Sequence, residues 1–201
     1  MKRLAFASSV LLAAASPLPL VAQEAAPQEQ VEAIDTGTGA QMAPIPGWMR
    51  DARDGILVFT APEGDATAAV LGVDEAENGE AAVAVAWSRL DPGFDREVLI
   101  AQEPPARDGW DQITVVNYKT SPEEKLAVQG VALRKGDTWT VVLINGALAT
   151  IAKRGAQINQ AFGSLRPTDY ERESFAGRDA HQLTPERIAE LTDYVTRAME
   201  G

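Results

Sequence analysis

EKLAVQGVALRKGDTWTVVLINGA, residues Glu124–Ala147, is the stretch whose reading decides the fold, and it reads as a β-hairpin. Val128, Val131 and Leu133 precede Lys135-Gly136-Asp137, and Trp139, Val141, Val142, Leu143 and Ile144 follow it. Gly136 takes positive φ at no steric cost and Asp137 can bond its own backbone, so these residues mark the turn. Apolar residues at both odd and even positions after the turn mean a strand covered on two faces, which belongs near the middle of a sheet. The outward positions Lys125, Gln129, Arg134 and Thr138 make no acid-base or metal set, so the hairpin reads as scaffold.

Upstream, Pro44-Ile45-Pro46-Gly47-Trp48 is a stiff entry with a first large apolar anchor, and order is expected to begin there. Ile56–Phe59 and Thr67–Val73 read as strands around the turn cluster Ala61–Asp65. Asn78 is an N-cap for a helix through Leu90, with Val83, Ala86, Trp87 and Leu90 on one face and Glu80 at the positive end of the dipole. Glu97–Gln102 and Ile113–Tyr118 are β-prone, separated by the punctuation of Pro104–Trp110. After the hairpin, Ile151, Ile158, Phe162 and Leu165 share a helical stripe that ends before Arg166-Pro167. Consecutive strands with short turns predict an α+β domain over 44–167: an antiparallel sheet of about five to six strands with two packed helices. That order of elements, closed by Ser164-Leu165-Arg166-Pro167, resembles the PsbP/Mog1-like sandwich.

Hydrophobic residues make up 45% of 201, enough for a sizeable core. The formal net charge of -11 repels phosphate backbones and anionic headgroups, which argues against nucleic acid or a membrane surface as partner. With no cysteine there are no disulfides, thiol nucleophiles or cysteine-held metals. Lys2-Arg3 followed by the apolar run Leu4–Ala15 has the form of a signal peptide, read over 1–22 with cleavage after Ala22. It predicts export to the periplasm or outside a bacterial cell, with no membrane insertion once cleaved. Residues 23–43, rich in Gln, Glu, Ala, Gly and Thr, read as a disordered linker, and Thr168–Gln182 as a second, polar one.

The last piece differs. Leu183-Thr184-Pro185-Glu186-Arg187-Ile188 has a Thr N-cap, Pro at the first helical position and Leu183 placed to staple on Ile188. Leu183, Ile188, Leu191, Val195 and Met199 form the stripe of an amphipathic helix over 183–201, separate from the domain, which needs a partner surface. The ending LTPERIAELTDYVTRAMEG resembles the first helix of the serine β-lactamase and penicillin-binding-protein superfamily, in its class C and esterase-like branch. There such a helix leads into a strand starting Val-Pro-Gly, with the catalytic serine farther on. The resemblance implies an accessory region ahead of an exported serine hydrolase domain, which would be its partner in cis or in trans. It carries over no catalytic residue, because neither Ser-x-x-Lys nor Tyr-x-Asn occurs in the chain. The alternative is a stand-alone envelope module that binds a protein or a ligand.

Other constellations are thin. Thr36-Gly37-Thr38-Gly39 lacks the third glycine and the strand-to-helix setting of a phosphate loop. His181 is the one histidine and sits among polar residues, which reads as solvated. Asp74–Glu80 has oxygens without the spacing of a calcium loop, and reads as a helix entry. No cofactor is implied. Trp48, Arg107 and Trp110 remain as candidate binding residues, since Trp with Arg is favoured at binding surfaces; plugging the edge of the core is the commoner role for such tryptophans.

Overall fold

The computed structural model describes residues 32–172, 174, 177 and 183–199. Residues 1–22, read as a signal peptide, residues 23–31 of the first linker and His181 lie outside them. In chain order the elements are β1 (Ile34–Asp35), β2 (Ala40–Met42), β3 (Met49–Arg53), β4 (Ile56–Thr60), β5 (Ala66–Val73), α1 (Gly79–Leu90), β6 (Val98–Gln102), β7 (Gln112–Tyr118), β8 (Leu126–Lys135), β9 (Thr138–Ala147), α2 (Leu148–Phe162), β10 (Arg166–Pro167) and α3 (Pro185–Met199).

The architecture is α+β. A seven-stranded antiparallel sheet runs in the order β3-β4-β5-β9-β8-β7-β6, and β1, β2 and β10 make a small second sheet. The Glu124–Ala147 hairpin is β8 and β9, in register from Leu126 opposite Ala147 to Lys135 opposite Thr138. Gly136 opens the two-residue turn at φ 59°, which suits the primed turns that match strand twist. As its two-sided apolar pattern requires, β9 is the middle strand, paired with β5 on its other edge.

Alternation along the strands sorts side chains into two cores. Leu71, Val116, Trp139, Val141 and Leu143 face α1, which contributes Ala82, Val83, Ala86 and Trp87. The N-cap is Asn78, whose Oδ1 accepts from the amide of Ala81 at 2.9 Å. Trp87 stacks on Phe94 with centroids 4.1 Å apart, and Tyr118 meets both edge-on. The opposite face carries Leu57, Phe59, Val70, Ile113, Leu133 and Val142 under Ile158 and Ala161 of α2 and Ala40, Met42, Ile45 and Trp48 of the entry segment.

Three expectations need correction. Order begins earlier than Pro44: residues 32–43, assigned to a linker, hold β1 and β2, with Ala40 and Met42 fully buried. Thr36–Gly39 is their turn, with Gly37 and Gly39 at φ 72° and 75° and Thr36 Oγ1 donating to the carbonyl of Ala40 at 2.8 Å. Thr38 Oγ1 and Thr140 Oγ1 share a hydrogen bond of 2.8 Å, tying that turn to the central strand. Across 32–43 the buried side chains are only Thr36, Ala40 and Met42, too few to show a periodic apolar face, so the composition concealed them. The sheet also has one strand more than expected: β3, Met49-Arg-Asp-Ala-Arg53, is exposed along its whole length and pairs with β4 on one edge. A strand that buries no face leaves no periodic signature. Finally, the start of the second linker is tied down, because β10 pairs with β2 and Thr168 donates its amide to the carbonyl of Gly39 at 3.0 Å.

Candidate functional site

On the sheet face opposite α1, α2 packs over β9 and β8, and the face continues past it across β7 to the edge strand β6. Between α2, this part of the sheet and the segment before β7 lies a cleft of about 340 Å³. Its deep wall is Ile113, Leu133, Val142 and Leu165, all buried, and its shallower floor is Val115, Val131 and Ile144, half buried. Ile158 and Phe162 of α2 close one side. These positions are apolar because strand alternation points every second residue of β7, β8 and β9 to this face.

The polar side chains of the lining are Arg107, Asp108, Gln129, Asn159 and Arg166. Gln129, on the floor, donates from Nε2 to Asn117 Oδ1 at 2.8 Å. Arg107, Asp108 and Arg166 lie together at one end. Arg166 is held: Nη2 stands 3.1 Å from Asp108 Oδ1, Nη1 donates to the carbonyl of Leu165 at 2.7 Å, and the guanidinium lies 6.0 Å from the centre of the Tyr170 ring. Arg107 is far less committed, with Nε 3.8 Å from Asp108 Oδ2 and a side chain 72% exposed. The loop that presents it turns through left-handed backbone at Asp108 (φ 58°) and Gly109 (φ 85°). Tyr170 packs so closely on Gly109 that a Cβ there would run into its ring.

The three candidate residues therefore separate. Arg107 and Trp110 both line the cleft, Arg107 at its rim and Trp110 deeper, 6% exposed, with Nε1 donating to the carbonyl of Leu165 at 3.3 Å. Trp110 thus plugs the core edge and forms part of the cleft wall at once. Trp48 is buried in the core of the same face and does not line the cleft. Sequence reading missed Arg166, Asp108 and Phe162, and its placement of Gln129 among the outward positions of the hairpin is corrected: Gln129 is half buried and faces the cleft, at the same strand parity as Val131 and Leu133. One signal was present: along β8 the residues facing this side include Gln129, Val131 and Leu133, and a glutamine among inward apolar positions is out of pattern. Nothing local marks the others, which come from separate elements.

A second feature is α3. Thr184 caps it, accepting from the amide of Arg187 at 3.4 Å, and the carboxyl of Glu186 is held below its usual range by its own backbone amide and the Thr184 hydroxyl. Leu183, Ile188, Leu191, Val195 and Met199 are between 50% and 82% exposed, and no residue of the helix is buried.

Ser121 belongs to a turn. Its Oγ accepts from the amide of Glu124 at 3.2 Å, and Glu124 accepts from the amide of Ser121 at 2.8 Å and pairs with Arg96. Among the described residues, no three His, Cys, Asp or Glu side chains are grouped so as to hold a metal ion, and no helix is long and apolar enough to cross a membrane.

No family model and no curated protein matches the chain. Among solved structures it is similar to the cyanobacterial PsbP (CyanoP) of Synechocystis sp. PCC 6803, at 12% identity and a TM-score of 0.49, over 66% of this chain and 89% of that one. It is also similar to a protein of Bacteroides thetaiotaomicron VPI-5482, at 12% identity and a TM-score of 0.33, over 78% of this chain and 55% of that one. Both likenesses concern the course of the chain, and neither bears on activity.

Proposed function

We propose that this chain is an exported, non-catalytic accessory domain of a serine β-lactamase-related hydrolase, acting in the periplasm or outside the cell, and that α3 docks on the hydrolase domain in cis or in trans. The observation that carries the reading is the unburied apolar stripe of α3. A capped helix with Leu183, Ile188, Leu191, Val195 and Met199 in solvent leaves without a partner the surface that normally holds such a helix in place. Its likeness to the first helix of those hydrolases supplies the partner class. The parent activity is then hydrolysis of an ester, amide or β-lactam, performed by residues outside this chain.

The test is capture of a purified class C or esterase-like hydrolase domain by the chain from Gln23 onward, compared with a version ending at Pro167 and with Leu191→Glu. Capture by the first alone is the expected result, whereas equal capture by all three, or by none, would refute docking through α3. The reading frame beyond Gly201 offers an independent check. A continuation with a Val-Pro-Gly strand and a later Ser-x-x-Lys supports the cis arrangement.

A further inference from the structure

We infer that the cleft between α2 and the open part of the sheet binds a single-chain amphiphile with an anionic head, its chain against Val115, Val131, Ile144 and Phe162 and its head at Arg107. This is independent of whether α3 docks on a hydrolase. Three observations support it together. At about 340 Å³ the cleft is at the small end of the range for ligand sites, roughly 300–1,000 Å³. That size suits one alkyl chain and is too small for a folded partner. Away from Arg107, Asp108 and Arg166 the only polar side chains of the lining are Gln129, whose Nε2 is engaged by Asn117, and Asn159 of α2, so most of the cleft asks for hydrocarbon.

The third observation is charge. Two guanidiniums share the one Asp108 carboxylate, Arg166 at 3.1 Å and Arg107 at 3.8 Å, which leaves one net positive charge, and Arg107, 72% exposed, is the less committed of the two. A guanidinium at the end of an apolar slot recognises a carboxylate, sulfate or phosphate head by charge-assisted hydrogen bonds. A molecule already in a bilayer is a poor source, because a chain of net charge -11 is repelled by an anionic surface. The ligand is therefore the dispersed amphiphile.

Calorimetric titration of the chain from Gln23 onward with dodecanoate below its micelle concentration tests this. One-to-one binding is expected, weakening about fourfold for each methylene removed on going to decanoate and octanoate. Arg107→Glu, a change at an exposed side chain, should weaken dodecanoate at least tenfold and admit dodecyltrimethylammonium in its place. Leu191→Glu on α3 should leave dodecanoate binding unchanged, and phosphatidylglycerol vesicles should not sediment the chain. Absence of saturable binding, indifference to Arg107→Glu or to chain length, loss of binding in Leu191→Glu, or sedimentation with the vesicles would each overturn the inference.

Discussion

Gly130 shows how tightly α1 is seated. It lies on β8 beneath the helix, where an added Cβ would run into Val83 Cγ1. Backbone and helix can approach this closely only while the position has no side chain. Gly130→Ala should therefore cost about 1–3 kcal/mol by overpacking. Combined with Val83→Ala it should cost less than the sum of the two single changes, because the second removes the obstructing methyls. Urea denaturation of the four proteins measures this, and strict additivity would show that Val83 is not what Gly130 accommodates.

Between elements, the ion pairs mark which parts are tied together. Glu63, in the turn between β4 and β5, receives Arg154 Nη2 at 2.8 Å and Lys153 Nζ at 2.9 Å, both from α2. The Arg154 and Lys153 hydrogen bonds hold its carboxyl down at about 2. Glu124 is likewise held at about 2 by Arg96 and by the amide of Ser121. A carboxyl whose folded pKa is depressed contributes stability above its unfolded value, near 4.5 here, and loses it as pH falls toward 2. The urea midpoint should thus drop as pH falls across that window, and Glu63→Gln should flatten the drop. An identical acid profile for the variant would show that the clamp on α2 contributes nothing. Neither pair could be read from the sequence, since both partners of each are common surface residues far apart in the chain. The N-cap at Asn78 and the cap at Thr184 could be read, because a cap is a matter of neighbouring residues.

For the molecule as a whole, the buried area lies in the sheet and its two helices, and α3 adds none. Ending the chain after Arg172, which removes α3 but keeps Thr168 on Gly39 and Tyr170 on Gly109, should accordingly leave the thermal midpoint of the domain unchanged. A marked fall would mean that α3 packs on its own domain and would favour the stand-alone module over the hydrolase accessory. The same distribution explains what could be foreseen. Periodicity and turn chemistry by themselves determined the α+β class, the central hairpin, both packed helices and the amphipathic character of α3, since each depends on residues within a turn or a strand of one another. Tertiary structure alone decided that residues 32–43 join the domain, that fully exposed β3 extends the sheet, and that Arg107 and Trp110 share a cleft while Trp48 is sealed in the core. Those outcomes depend on which distant segments meet: α2 packs on β9 and β8, and the cleft lies between it, the adjoining sheet face and the segment before β7.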